Sequence, residues 1–209
     1  MLRLIPCFCL SLLLAAPAWA ADQSPRAYTE TLLNNFKQIH SEKGLAPAEK
    51  AANEKIVNEL EHTFNFEEMT TKLMAPRIDK FSAAEKEAFR KKFRELVRAG
   101  AFINSGDFFR KAKLQFQPEK TAGDMTTVPV HVTVAADDTD MVVGLQWKKE
   151  GGALKVVDVL IDGDSLVKDY QNQVARLVDK KGVPSLLQSL DERRANIDKK
   201  PSAEKVKDK

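Results

Sequence analysis

The sequence predicts an α+β chain in which a four-stranded antiparallel sheet packs with helices from both ends of the chain. Three observations carry this. Apolar residues recur at helical spacing up to about residue 110. From about 111 to 161 the period drops to two. Helical spacing then returns and runs to about 197. The strands thus form one uninterrupted block, the signature of a segregated antiparallel sheet rather than of alternating parallel units.

The helical part covers about 21–110. Ser24-Pro25 reads as a cap followed by proline at the first helical position, and Tyr28, Leu32, Phe36 and Ile39 then share a face. After Gly44 a second helix runs from about Pro47 to His62 and turns Ala52, Ile56 and Leu60 inward. Asn65 caps a third, with Glu68 at the capping-box position and Met69 and Leu73 on the apolar side. Pro76 ends it. Ser82 and Glu85 form a second capping-box signature, opening a helix through Phe89, Phe93, Leu96 and Val97.

In the sheet, Leu114 and Phe116 alternate with polar neighbours, and so do Val128, Val130, Val132 and Val134 and then Val143, Leu145 and Trp147. Asp137-Asp138-Thr139-Asp140 and Gly151-Gly152 are turn-type connections, which makes a meander of hairpins. The fourth strand, Leu154 to Ile161, is apolar at both parities except at Asp158, as expected of a strand covered on both faces. Asp162-Gly163-Asp164-Ser165 then leads into a helix whose stripe is Leu166, Val167, Tyr170, Val174, Leu177 and Val178. Gly163 supplies backbone freedom, and Asp164 or Ser165 caps the first turn. The acidic turn is not a calcium loop. Such a loop needs oxygen ligands at alternate positions and a glutamate near its end, and Leu166 stands where a ligand is required. A closing helix follows Gly182-Val183-Pro184 with Leu186, Leu187 and Leu190 inward.

Residues 1–20 have the layout of a secretory signal: Arg3, an apolar run from Leu4 to Ala16, and small residues at Ala18 and Ala20. That run is shorter than the ~20 residues that cross a bilayer. Both cysteines, Cys7 and Cys9, lie inside this segment, so the chain expected to begin at Ala21 has no disulfide and no thiol chemistry. A soluble exported protein of about 189 residues (209 less 20) is the expectation, long enough for one domain over 21–197. The formal charge of +3 falls to +2 without Arg3, and mixed charges of this kind give no footprint for nucleic acid. The segment 198–209, DKKPSAEKVKDK, reads as a disordered charged tail.

Little in the chain resembles a catalytic constellation. His40, His62 and His131 have no zinc-recruiting spacing, with the first two near helix ends facing solvent. There is no glycine-rich phosphate loop and no nucleophile elbow, and Glu67-Glu68 and Glu85-Glu87 fall in first helical turns, where the helix dipole accounts for them. No cofactor and no metal is expected, and the chain is read as a non-enzyme. Apolar surface is what the sequence has in abundance. An ordinary filled core and a cavity left between sheet and helices satisfy the periodicity equally.

Phe64-Asn65-Phe66-Glu67-Glu68-Met69-Thr70, Phe81-Ser82 and the Phe89/Phe93 helix resemble the N-terminal signature of the MlaC-type periplasmic phospholipid-binding proteins, or toluene-tolerance family. The stretch from Lys155 to Gly163, with Ser165-Leu166-Val167 and Tyr170, is similar to that family's strand–turn–helix hallmark, and Gly182-Val183 with Leu186 and Leu190 to its closing helix. The chain departs from the pattern at Asp164, at Ala75-Pro76-Arg77-Ile78 and at Ala101-Phe102. The resemblance implies an NTF2-like sheet joined to a helical part, with an acyl-chain cavity between them and bound phospholipid as the ligand. The expected lipid contacts are Phe66, Met69, Leu73, Phe89, Phe93, Val97, Phe116, Val130, Val132, Val143, Leu145, Trp147, Val157, Val159, Ile161, Val167 and Tyr170. The implied partners are an inner-membrane MCE-domain ABC transporter complex and an outer-membrane lipoprotein–porin complex. The hopanoid-associated branch of the family, an exported interaction protein with a filled core, and an enzyme on an NTF2-like scaffold using Asp158 are the alternatives.

Overall fold

Ser24 opens the first helix: its Oγ accepts from the Ala27 N–H at 3.2 Å, with Pro25 at the first helical position. The structure, a computed structural model, describes residues 24–40 and 44–199; residues 1–20, read as a secretory signal, and residues 200–209 of the expected charged tail lie outside them. Helix α1 (Pro25–Gln38) buries Thr29, Leu32, Leu33 and Phe36. Helix α2 (Pro47–Thr63) is rotated from the expected face. Asn53, Val57 and Leu60 point inward, Ile56 is half-buried and Ala52 is exposed. A polar residue breaks the apolar period because it holds the chain before the helix. Asn53 Oδ1 accepts from the His40 N–H at 3.0 Å and its Nδ2 donates to the His40 carbonyl at 2.7 Å. Burial then costs the amide nothing in lost partners.

Helix α3 (Phe66–Met74) is capped by Asn65, whose Oδ1 accepts from the Glu68 N–H at 2.8 Å. The expected return bond from Glu68 does not form: the Asn65 N–H donates to the Val156 carbonyl at 2.9 Å, and the Glu68 carboxylate pairs with Lys72 at 2.7 Å and Lys148 at 3.3 Å. A 3-10 turn (Ala75–Lys80) carries Pro76 and leads to α4 (Ala83–Val97), where the Ser82–Glu85 capping box is complete. Two elements carry no signal in the sequence: a π-helical turn (Arg98–Phe102) and the short α5 (Gly106–Lys111). Neither is long enough to show a period.

Among the described residues the sheet has six strands rather than four: β1 (Lys113–Phe116), β2 (Lys120–Ala122), β3 (Met125–Val134), β4 (Thr139–Glu150), β5 (Ala153–Ile161) and β6 (Asp164–Ser165). All pairings are antiparallel, in the order β1-β3-β4-β5-β6, with β2 also on β3. The difference from four has a simple cause. β1 and β2 occupy the same edge of β3, separated around Pro118, which lacks the N–H a continuous ladder needs. β6 is a two-residue extension of the turn after β5.

The register shifts between Gln146 and Trp147. Gln146 faces Asp158, whereas Trp147 faces Val156, so Val157 is the extra residue of a bulge. Val156 therefore joins the core beside Trp147, and Val157, although buried, lies outside both clusters described next. Strict alternation cannot register such a shift.

Two apolar cores result. A sheet-side core gathers Leu32, Phe36, Leu60, Phe66, Phe102, Val128, Val130, Val132, Leu145, Trp147 and Val156. A helical core gathers Leu73, Met74, Phe81, Phe89, Val174, Val178, Val183, Leu186 and Leu190. Phe93 and Val167 pack against both. The last element, α6 (Leu166–Lys199), is two helical segments joined at Gly182, whose φ of 79° and ψ of 169° lie in a region that essentially only glycine enters. The two helices expected on either side of Gly182 are these segments, and the second runs on to Lys199.

Candidate functional site

Helix α4, the π-helical turn after it and both segments of α6 border an open cleft of ≈ 950 Å³. Its apolar lining is Phe89, Phe93, Leu96, Val97, Gly100 and Ala101 from the first two, and Tyr170, Val174, Leu177, Leu186, Leu190 and Ile197 from α6. Gln173, Arg176, Lys180, Ser189, Arg193 and Asn196 complete it. The volume lies near the top of the ~300–1,000 Å³ typical of small-molecule sites. Tyr170, at 39% exposure, is the most open large hydrophobic among the described residues, and it sits on this cleft. Its ring meets Phe93 edge-on at 6.2 Å, and Phe93 stacks on Phe89 at 6.0 Å.

Each wall is fixed by contacts behind it. The π-helical turn is held by Arg98, which pairs with Glu54 at 2.5 Å and Glu61 at 3.0 Å and donates to Asn58 Oδ1 at 3.0 Å, all on α2. Lys92 of α4 reaches Asp191 of the second α6 segment at 2.5 Å. Gln171 donates to the Lys72 carbonyl at 2.6 Å, tying the first segment to α3. Asp179 receives Arg77 through two bonds of 2.6 Å and Lys80 at 2.7 Å. Hydrogen bonds from Arg77 and then Lys80 hold the Asp179 carboxyl well below the ordinary aspartate range, against an opposing effect of desolvation.

The acidic turn sets where α6 begins. Ser165 Oγ accepts from the Lys168 N–H at 2.9 Å, so Ser165 is the cap and the exposed Asp164 is not. Asp158 supports it from the strand. It accepts from Val159 N–H at 2.8 Å and Val167 N–H at 3.1 Å, and from the Ser165 hydroxyl at 2.5 Å. Asp162, in the left-handed region with φ 51°, accepts from Val142 N–H at 2.8 Å. The three aspartates thus occupy separate positions, and among the described residues no group of three or more His, Cys, Asp or Glu could hold a metal ion. Burial raises Glu68, but Lys72 and then Lys148 outweigh it and leave its carboxyl below the usual range. Glu68 does not border the cleft.

Of the residues expected to contact lipid, Phe89, Phe93, Val97 and Tyr170 border the cleft. Leu73 lies in the helical core beside it. Phe66, Met69, Val130, Val132, Leu145 and Trp147 are buried in the sheet-side core, with Phe116, Val143, Val159 and Val167 packed against that core. Val157 and Ile161 belong to neither cluster, and Ile161 is half-buried. The cleft also uses Val174, Leu177, Leu186 and Leu190, which the helical stripes mark as inward-facing without marking them as a site. Gly100 and Ala101 carry no apolar signal at all; small size is what they contribute.

An open apolar cleft among helices, set on an antiparallel sheet and rimmed by a few polar side chains, is the build of a protein that binds an apolar ligand. The chain belongs to the MlaC family: the family model described as "MlaC protein" matches residues 28–192. It is 26% identical over 137 residues to the intermembrane phospholipid transport system binding protein MlaC of Haemophilus influenzae. That match covers 62% of each chain, so the likeness spans under two thirds of the relative's length. In fold it is similar to the phospholipid-binding protein of Ralstonia solanacearum, solved in complex with a phospholipid at 1.53 Å. The TM-score is 0.59 at 23% identity, covering 83% of this chain and 96% of that one.

Proposed function

We propose that this protein is a periplasmic carrier that takes up phospholipid acyl chains and shuttles lipid between the inner and outer membranes. The observation that carries the reading is the apolar cleft of ≈ 950 Å³ in a member of the MlaC family. The Haemophilus relative named for intermembrane phospholipid transport and the Ralstonia neighbour with its bound phospholipid support it. The physics is that of desolvation. Each methylene moved from water to an apolar site is worth ~0.8 kcal/mol, so one ~16-carbon chain represents about 12 kcal/mol and leaves a membrane unaided only slowly. A cleft that covers the chain removes that penalty while the headgroup stays wet.

In this reading the acyl chains lie against Phe89, Phe93, Val97 and Tyr170. The sheet-side core, with Val130, Val132 and Leu145, lies beyond Phe93, which with Val167 packs against both cores. The activity is carriage rather than catalysis. Asp158, the carboxylate nearest to a catalytic candidate, is occupied by three donors: the Val159 N–H of its own strand, and the Ser165 hydroxyl and Val167 N–H at the start of α6. Export rests on cleavage after Ala20, and among the described residues no helix is long and apolar enough to cross a membrane. The partners would be an MCE-domain ABC transporter complex at the inner membrane and a lipoprotein–porin complex at the outer. Native mass spectrometry of protein purified from the periplasm tests the proposal. The expected spectrum shows the chain starting at Ala21 plus the mass of a diacyl lipid; a bare chain after gentle purification sinks the carrier.

A further inference from the structure

The cleft has a charge pattern that an acyl-chain site does not require. Arg176, Lys180 and Arg193 border it, and none of the described residues that border it is acidic. Over the whole chain 33 Lys and Arg face 30 Asp and Glu, so a lining of three cations without one acid is a local separation of charge. Several neighbouring cations are paired: Arg77 and Lys80 with Asp179, Lys92 with Asp191, and Arg98 with Glu54 and Glu61. The side chains of Arg176, Lys180 and Arg193 form no hydrogen bond or ion pair with any described residue. They are exposed, so they stand in water at the edge of an apolar site. Gln173, Ser189 and Asn196 add polar side chains to the same lining. An amphiphile whose tails enter the cleft brings its headgroup among these side chains.

We propose that the cleft selects phospholipids whose headgroup carries net negative charge, with Arg176, Lys180 and Arg193 receiving the phosphate and its surroundings. The inference rests on the carrier reading and deepens it. A phosphodiester accepts from guanidinium groups in bidentate geometry and from ammonium as a point charge. A zwitterionic headgroup offers the same phosphate together with a cation, and that ammonium meets three like charges. A glycerol headgroup brings no such repulsion, so discrimination comes from what is disfavoured as much as from what is held.

Vesicles containing equal amounts of phosphatidylglycerol and phosphatidylethanolamine with matched acyl chains provide the probe. Full-length mature protein is incubated with them and re-isolated by size exclusion, and its bound lipid is identified by mass spectrometry. Because both lipids share one membrane, adsorption of the protein to that membrane cannot favour either. The expected phosphatidylglycerol enrichment is about 3- to 10-fold, the scale of one or a few charge contacts in water, and it weakens as salt rises. The combined variant Arg176→Gln, Lys180→Gln, Arg193→Gln should bind lipid with the ratio near 1 and with an unchanged melting temperature. The control Lys55→Gln, Lys111→Gln, Lys120→Gln removes the same charge outside the cleft and should keep the enrichment. Lipid bound by wild type without enrichment, or enrichment that survives in the cleft variant or vanishes in the control, overturns the headgroup inference and leaves the carrier standing. No lipid bound at all overturns the carrier reading itself.

Discussion

Trp147 is fully buried, and its indole N–H has one acceptor, the Thr29 hydroxyl at 2.8 Å, which in turn donates to the Pro25 carbonyl at 2.9 Å. These two bonds join the contacts of Leu32, Leu33 and Phe36 in holding α1 on the sheet. Thr29→Val keeps the shape and removes the acceptor, leaving a buried N–H unpaired, so stability should fall by ~1–3 kcal/mol. Urea unfolding of the variant beside Thr29→Ser checks it, because serine restores the oxygen and should recover most of the loss. Trp147 as a core residue is legible from alternation alone. Its partner is not, because no local pattern marks which of a helix's threonines meets an indole 118 positions away. Asn53 and Asp158 teach the same lesson. Each is a polar residue on a buried face whose role is set by backbone groups that only the folded chain brings near.

At the scale of elements, helix starts are the most legible feature: Ser24, Asn65, Ser82 and Ser165 all cap as their side chains allow. Capping is a local bond across three residues, so sequence contains it whole. The bulge at Val157 and the rotation of α2 are hidden, since both depend on what the element packs against. Asp179 is a further contact of this non-local kind. Arg77 and then Lys80 favour its ionised form, so its stabilising effect is complete above the ordinary aspartate pKa of ~4 and is lost as pH falls through its lowered value. Asp179→Asn should leave neutral-pH folding intact apart from that contact, and flatten the decline of melting temperature below about pH 4 relative to wild type. Thermal melts from pH 7 to 2 measure it. Equal acid slopes in the two proteins would remove Asp179 from the account of acid stability.

For the whole molecule, the decisive distinction is between filled and open apolar space. Periodicity locates the apolar faces and leaves that distinction undrawn, because a stripe is the same string of residues whether it meets another side chain or a cleft. The structure draws it: Leu145 is buried within the sheet-side core, whereas Ala101 is exposed on the cleft. Two tryptophan variants therefore separate in opposite directions. Leu145→Trp overpacks a filled region and should cost ~1–3 kcal/mol. Ala101→Trp should leave the melting temperature near wild type while lowering bound lipid several-fold, since the indole takes the space of an acyl chain. Lipid counts by mass spectrometry and thermal melts on both proteins settle it, and unchanged lipid in the Ala101 variant would move the site elsewhere.

The cleft borrows two of its walls from one stretch of chain, since both segments of α6 lie after the last strand. During synthesis the strands and α4 therefore emerge before either of those walls exists. A nascent chain that has reached only Gly163 has β1 to β5 and lacks both α6 walls of the cleft. Competence to take cargo is in this sense scheduled: it arises with the closing helices, after the scaffold that must support it has already been delivered.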